Sequence, residues 1–128
     1  MLQEYRRKKS TTVTAVRLDL DTEGFVYQKW GGLQRCKRGD WLLNNQGDVY
    51  TVDQETFERT YRMVSPGVYE KEAPVWAQEA DQPGTIRTIE GSTDYKAGDY
   101  LVSNDRQGVD SYAISRETFH SLYELSRK

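Results

Sequence analysis

Short stretches in which apolar and polar residues alternate recur along the chain, four in each half. Alternation with a period of two residues predicts a β-strand that buries one face. The predicted strands cover residues 13–18, 25–30, 41–44 and 49–52 in the first half and residues 74–77, 85–89, 100–103 and 111–114 in the second. Clusters of Asn, Asp and Gly between them predict turns and hairpins.

A short helix is predicted after the last strand of each half. Asp53 and Ser115 are residue types that accept hydrogen bonds from the first turn of a helix, so each is a predicted N-cap. Aromatic residues four positions apart share one helix face. These pairs are Phe57 with Tyr61 and Phe119 with Tyr123. No helix separates successive strands, which argues against a parallel βαβ architecture.

The two halves share more than their order of elements. The motif Lys-x-Gly-Asp-aromatic-Leu occupies residues 37–42 and again residues 96–101, a spacing of 59 residues. The alignment pairs further residues on both sides of it: Lys9/Lys71, Val13/Val75, Trp30/Ile89, Gly32/Gly91, Asn45/Asn104, Tyr50/Tyr112 and Tyr61/Tyr123. We therefore expect a tandem repeat, with a first unit at residues 1–64 and a second at residues 65–128.

The expected fold class is α+β and β-dominated. It consists of two ββββα repeats with small antiparallel sheets, barrel-like or bent, related by an approximate two-fold axis. A unit of about 60 residues alone hides only about 60% of its extended-chain surface and is marginally stable. The two units are therefore expected to pack as one compact domain. The repeated glycines Gly32 and Gly91 predict a positive φ or a close approach of two backbones.

Composition narrows the functional classes. The net charge of -2 argues against generic nucleic-acid binding, which depends on a basic surface. With one histidine and one cysteine, a Cys/His zinc site and an internal disulfide are both excluded within one chain. His120 is therefore expected to be structural. Cys36, beside three basic residues, would be reactive if exposed. We expect no metal and no cofactor.

The distribution of apolar residues bears on location. No apolar run approaches the length of a transmembrane helix. The basic N-terminus lacks the apolar segment of a signal peptide. The single cysteine fits a reducing compartment. The expectation is a cytoplasmic protein without a membrane partner.

Several of these residues resemble a known family. The Tyr-x-Lys-rich start, the Val-x-Ala strand, the two Gly-Asp-aromatic motifs, the Tyr-x-Val/Ile strands and the closing Phe-x-x-x-Tyr helices are similar to the small PGDYG-type proteins of bacteria and tailed phages. The motifs stand as Arg38-Gly39-Asp40-Trp41 and Ala97-Gly98-Asp99-Tyr100, so the leading proline is absent from both. The resemblance covers nearly the whole chain in two passes. It implies no established activity, substrate or cofactor.

The candidate site residues are the repeated polar and aromatic side chains. Trp41 and Tyr100 are out of phase with the leucines that follow them, so they are candidates for an exposed aromatic platform beside Lys37 and Lys96. Asp40 and Asp99 could meet as an acid and a base, although Asp after Gly more often caps its own turn. Tyr50 and Tyr112 complete the set.

Three functions compete at this point. The leading interpretation is a non-enzymatic module that binds a small molecule or a protein, through the aromatic surface or through a cleft between the repeats. A small enzyme using the paired aspartates is the second. Single-stranded nucleic-acid binding is the third, through basic residues interleaved with aromatic ones. The basic residues are Arg6, Arg7, Lys8, Lys9, Arg35, Lys37 and Arg38, and the aromatic ones are Trp30 and Trp41. No catalytic residue is assigned, and a homo-oligomer stays open.

Overall fold

A computed structural model describes residues 2–8 and 11–126 of the chain. Short strands dominate it, with one helix in each half. The first half contains β1 (Gln3–Arg7), β2 (Val13–Arg17), β3 (Gly24–Lys29), β4 (Gly32–Lys37), β5 (Trp41–Asn45), β6 (Asp48–Val52), α1 (Gln54–Thr60) and β7 (Tyr61–Ser65). The second contains β8 (Val68–Lys71), β9 (Val75–Glu79), β10 (Gly84–Arg87), β11 (Ser92–Tyr95), β12 (Tyr100–Ser103), β13 (Ser111–Ile114), α2 (Arg116–Leu122) and β14 (Tyr123–Leu125).

The strands form two five-stranded sheets and two separate hairpins. One large sheet has the order β6-β5-β2-β8-β7 and the other β13-β12-β9-β1-β14. The hairpins are β3-β4 and β10-β11, and every described strand pair is antiparallel. The β-dominated, antiparallel class is therefore confirmed. None of these sheets closes, so the barrel-like form of the prediction is wrong.

Each large sheet takes its fourth strand from outside the predicted repeat unit. β1, at the start of the chain, pairs with β9 and β14 of the second half. β8, which follows residue 65, pairs with β2 and β7 of the first half. The boundary between residues 64 and 65 therefore does not separate the two sheets.

Each unit also holds more strands than the predicted ββββα pattern. β4 and β11 complete hairpins for which only the first strand was predicted, and β7 and β14 follow the helices directly. The predicted caps are confirmed. The Asp53 carboxylate accepts a hydrogen bond from the Thr56 N–H at 3.2 Å, and the Ser115 hydroxyl accepts one from the Thr118 N–H at 3.2 Å. Each cap satisfies an amide that has no partner within its helix.

Each large sheet has its own apolar core beneath its helix. In the first sheet Phe57 of α1 is buried against Val13, Ala15 and Leu43. In the second the buried residues are Val75, Ala77, Tyr100, Val102, Phe119, Leu122 and Tyr123. Burying a large apolar side chain is worth roughly 1.5–3 kcal/mol. The aromatic pairs predicted on each helix therefore anchor that helix to its sheet.

The two hairpins pack against each other and connect the halves. The Arg35 N–H donates to the Glu90 carbonyl at 2.5 Å, and the Asp94 N–H donates to the Trp30 carbonyl at 2.8 Å. Gly91 lies so close to this junction that a Cβ there would stand 1.7 Å from the Leu33 carbonyl oxygen. Close backbone approach is therefore the reason for glycine here, and the alternative of a positive φ does not apply at Gly91.

Candidate functional site

A cavity of about 420 Å³ lies between the two halves. Its walls come from both five-stranded sheets, both helices and both hairpins. Cavities of this size fall within the usual range for small-molecule sites, roughly 300–1,000 Å³. The two halves thus enclose a space that neither sheet forms alone.

Three of the aligned aromatic positions line this cavity in pairs: Trp30/Ile89, Tyr50/Tyr112 and Tyr61/Tyr123. Tyr61 and Tyr123 stand at the ends of the two helices, where each begins the following strand. The Trp30 and Tyr50 rings contact each other with centroids 5.4 Å apart. The walls therefore combine aromatic faces with phenolic hydroxyl groups, which suits a ligand with both apolar and polar parts.

Two cations, Arg7 and Lys71, line the same cavity. They occupy matching places in the two sheets, since Arg7 pairs with Tyr123 and Lys71 pairs with Tyr61. Lys71 is only 8% exposed. The sequence alignment pairs Lys71 with Lys9 instead, and Lys9 lies outside the described residues. By strand register the counterpart of Lys71 is therefore Arg7, two positions before the Lys9 that the alignment gives.

Each cation reaches from its own sheet to an asparagine of the other. An Arg7 guanidinium nitrogen donates to Asn45 Oδ1 at 3.2 Å, and Lys71 Nζ donates to Asn104 Oδ1 at 2.7 Å. Lys71 Nζ also donates to the Tyr112 hydroxyl at 3.1 Å. These cross-sheet bonds fix the cations beside the cavity and use both members of the predicted Asn45/Asn104 pair.

Burial controls the protonation states around the cavity. It raises the pKa of the Tyr50 and Tyr112 phenols well above their usual range, so both are neutral near pH 7. Burial lowers the pKa of the Lys71 ammonium; Tyr61 and Asp110 oppose this shift, and the charges of Arg7 and Arg59 add to it. The tyrosines are therefore hydrogen-bonding groups here and not anions that neutralise the cations.

The Glu90 carboxylate connects the halves at the cavity wall. Glu90 Oε2 accepts a hydrogen bond from the Asp53 N–H at 2.9 Å, which links the β10-β11 connection to the start of α1. Burial raises the pKa of Glu90, and the backbone hydrogen bond opposes that shift. Glu90 therefore helps to hold the second hairpin against the first helix.

Trp41 and Tyr100 do not form the predicted exposed platform. Tyr100 is 9% exposed and stacks on Phe119, with ring centroids 4.1 Å apart. Trp41 is half-buried and stacks on Phe57 at 4.2 Å, while its indole N–H donates to Glu58 at 3.3 Å. Both rings pack beneath the helices because those helices cover the sheet face that was expected to be open.

Asp40 and Asp99 each stabilise their own turn. Asp40 is 1% exposed and accepts hydrogen bonds from the backbone N–H groups of Lys37 at 2.7 Å and Gln54 at 3.0 Å. Asp99 accepts one from the Lys96 N–H at 3.0 Å. Asp99 lines the cavity and Asp40 does not. The structure therefore favours the turn-capping interpretation over a shared acid and base.

The remaining predicted residues also lie apart from the cavity. The Lys37 ammonium is exposed and pairs with Asp40 at 3.3 Å and Asp53 at 3.0 Å, and Lys96 is exposed. Cys36 is buried, so its basic neighbours do not make it a reactive surface thiol. In the described residues no group of three or more His, Cys, Asp or Glu side chains could hold a metal, and no helix is long and apolar enough to cross a membrane.

Of the predicted site residues, Tyr50, Tyr112 and Asp99 line the cavity, whereas the two cations were not predicted as site residues. A signal was present, since Tyr5-Arg6-Arg7 and Tyr69-Glu70-Lys71 share the pattern Tyr-x-basic and occupy matching strands. Comparison of the chain with protein-family models, with curated proteins and with solved structures gives no match. The resemblance to PGDYG-type proteins stays a prediction.

Proposed function

We propose that this protein is a non-enzymatic binding module, formed by tandem duplication, that holds a small molecule in the cavity between its two halves. The observation that carries this proposal is the cavity of about 420 Å³ lined by three aligned aromatic or apolar pairs. A cavity of this size with two cations in its wall is a poor means of joining two separately packed cores, since close apolar packing would be more stable. Binding supplies a physical reason for it.

The two other functions have less support. An enzyme using Asp40 and Asp99 needs a carboxylate free to exchange a proton, but both carboxylates are engaged by backbone N–H groups. Nucleic-acid binding needs a run of available cations. Among its predicted cations, Lys37 is paired with two aspartates, Arg38 lies 3.6 Å from Asp21, and Arg7 faces the cavity.

The experiment is a fragment screen by NMR with isotope-labelled protein. We expect bound fragments to shift the signals of Tyr50, Tyr61, Tyr112 and Tyr123 and to leave those of Trp41 and Lys96 unchanged. Shifts confined to Trp41 and its neighbours would move the site to the surface predicted from the sequence. A screen in which no fragment perturbs the cavity residues would end the proposal.

A matched pair of variants tests the location. Ala113 lines the cavity, whereas Ala97 is exposed in the turn before Asp99 and lies outside the lining. Ala113→Leu should weaken fragment binding by about tenfold or more because it occupies ligand space, and Ala97→Leu should leave it unchanged. Preserved dispersion of the NMR spectrum shows that each variant is folded. Equal affinity in both variants would contradict the cavity as the site.

A further inference from the structure

The distribution of charge within the cavity indicates what kind of ligand it holds. Arg7 and Lys71 are cations on matching strands, and both line the same cavity. In the described part of the chain, no carboxylate oxygen lies within 4.0 Å of a charged nitrogen of either side chain. Two like charges thus share one enclosed space without an opposite charge in contact.

Such an arrangement is costly in an otherwise buried setting. Removing a charged group from water costs several kcal/mol unless an opposite charge or sufficient hydrogen bonds replace the water. The neutral groups around Lys71 replace it only in part. Its ammonium has three donors, and two are used, by Asn104 at 2.7 Å and Tyr112 at 3.1 Å.

The Arg7 guanidinium also has donors to spare. Its Nε donates to the Thr11 hydroxyl at 3.1 Å and one terminal nitrogen donates to Asn45 at 3.2 Å. A guanidinium has five N–H donors; these two bonds and a side-chain hydrogen bond to Tyr123 leave two of them for another acceptor. Planar guanidinium groups bind carboxylate and phosphate groups through paired hydrogen bonds. The free donors of the two cations therefore match the acceptors of an oxyanion.

The carboxylates in the cavity wall have other partners. Asp48 pairs with Lys29 at 2.8 Å, and Asp110 pairs with Arg59 at 3.7 Å. Glu90 accepts a hydrogen bond from the Asp53 N–H at 2.9 Å, Asp94 accepts one from the Thr85 hydroxyl at 2.7 Å, and Asp99 accepts one from the Lys96 N–H at 3.0 Å. Asp48 and Asp110 thus pair with cations that do not line the cavity, and the other three carboxylates accept from neutral donors. Asp110 also acts on the charge of Lys71 without a direct contact, so Arg7 and Lys71 retain donors for a ligand.

We infer that the cavity binds a small organic anion, with its carboxylate or phosphate group between Arg7 and Lys71 and its flat apolar part against the tyrosine rings. This inference rests on the proposed function, since it names the class of ligand for the same cavity. Tyr61 and Tyr123 stand beside the two cations, with Lys71 Nζ 5.7 Å from the Tyr61 ring and the Arg7 guanidinium carbon 5.5 Å from the Tyr123 ring. An aromatic anion would therefore meet a cation and a ring together.

Matched ligand pairs test the charge of the ligand. Benzoate is compared with benzamide, and 2-naphthoate with 2-naphthamide, by NMR titration of the cavity tyrosine signals. We expect each anion to bind about tenfold or more tightly than its neutral amide, since only the anion meets both cations. Equal affinity within the pairs would overturn the anion inference and leave the cavity as a ligand site. Absence of any shift in the wider fragment screen would instead remove the proposed function.

Matched variants test the two cations. Arg7→Gln and Lys71→Met should each weaken benzoate binding by about tenfold and weaken benzamide binding by less than about threefold, since the amide loses a hydrogen bond but no charge pairing. The control is Arg6→Gln, because Arg6 is the neighbouring residue on β1, is exposed and pairs with Glu4. It should not affect either ligand.

A stability measurement separates charge recognition from damage to the fold. Without ligand, Lys71→Met should be as stable as the parent protein or more stable, because it removes a buried charge that lacks a counter-ion. Benzoate should raise the melting temperature of the parent and fail to raise that of the variant. If benzoate stabilises both equally, Lys71 does not hold the anion and the inference is wrong.

Discussion

The two five-stranded sheets connect their outer hairpins in different ways. Between β5 and β6 the chain turns through Gln46 and Gly47, both with positive φ, at 56° and 98°. Between β12 and β13 it makes a longer loop from Asn104 to Asp110. The strands on either side pair in the same order in both sheets. The cores therefore constrain the strands, and the connection between them is free to change.

The difference in loop length changes the contacts of two aspartates, Asp48 at the start of β6 and Asp110 just before β13. Asp48, after the tight turn, pairs with Lys29 of its own half at 2.8 Å. Asp110, after the longer loop, lies 3.4 Å from the Thr56 hydroxyl and 3.7 Å from Arg59, both on α1 of the other half. The longer loop thus reaches across the cavity, and the tight turn does not. Two similar sheets therefore form a cavity with unequal rims.

The largest expected effect tests whether the two cores are equivalent. Phe57 and Phe119 are 1% and 0% exposed, and each packs against aromatic rings of its own sheet. Phe57→Ala and Phe119→Ala should each lower the free energy of unfolding by about 3–5 kcal/mol, since each leaves a large cavity. Chemical denaturation measures both losses.

The control for these variants is Val109→Ala, because Val109 is 86% exposed in the longer loop. Its effect should lie within about 0.5 kcal/mol of zero. If one phenylalanine variant lost less than about 1 kcal/mol while the other lost several, the two sheets would not be held together in the same way.

The second expected effect tests how the longer loop is stabilised. The Asp105 carboxylate accepts hydrogen bonds from the Val109 N–H at 3.0 Å, the Asp110 N–H at 2.7 Å and the Ser103 hydroxyl at 2.7 Å. Desolvation raises the pKa of Asp105, but these hydrogen bonds outweigh it and lower the pKa from its usual 3.8 to about 2. Asp105→Asn should cost about 1 kcal/mol near neutral pH, after allowance for solvent screening.

The pH dependence of stability checks the same prediction. The folded protein holds the pKa of Asp105 below its unfolded value. The Asp105 carboxylate therefore contributes to the free energy of unfolding above pH 3.8, and this contribution is lost as the pH falls towards about 2. Asp105→Asn should therefore show a shallower loss of stability across that range. The matched control is Asp48→Asn, at the residue that follows the tight turn. This substitution should lower the free energy of unfolding by less than about 0.5 kcal/mol. Equal acid sensitivity in the parent and Asp105→Asn would exclude this role.

The parts of the fold that were predicted depend on local pattern. Alternation predicted β2, β3, β5, β6, β9, β10, β12 and β13, and the capping residues Asp53 and Ser115 predicted the start of both helices. Strand β1 could not be assigned to a sheet in this way, because Tyr5 pairs with Val75 and Leu125, residues far along the chain. A pairing of this kind depends on the packing of the whole molecule and not on local propensity.

The same reason explains what was missed in the candidate site. Tyr50 and Tyr112 were found because they lie on strands with clear alternation. Arg7 and Lys71 lie on β1 and β8, whose polar sequences conceal the fact that these strands lie inside their sheets. Trp41 was misplaced because alternation predicts which sheet face a residue occupies and does not say that a helix covers that face.

The smallest expected effect concerns the tight turn itself. Gln46 has a φ of 56°, a left-handed conformation that costs a residue other than glycine, asparagine or aspartate roughly 1–2 kcal/mol. Asparagine followed by glycine is preferred in two-residue hairpin turns. Gln46→Asn should therefore raise the free energy of unfolding by about 0.5 kcal/mol. The Asn44 side chain, which accepts a hydrogen bond from the Gly47 N–H at 2.7 Å, would be retained.

A substitution in the longer loop provides the comparison. Arg106 is exposed and has no positive φ, so Arg106→Asn relieves no strain and should change stability by less than about 0.5 kcal/mol in either direction. Thermal unfolding of the two variants side by side measures the difference. A gain for Gln46→Asn alone would place the cost of the tight turn at Gln46. An equal gain for both would show that asparagine stabilises these loops for a reason other than backbone conformation.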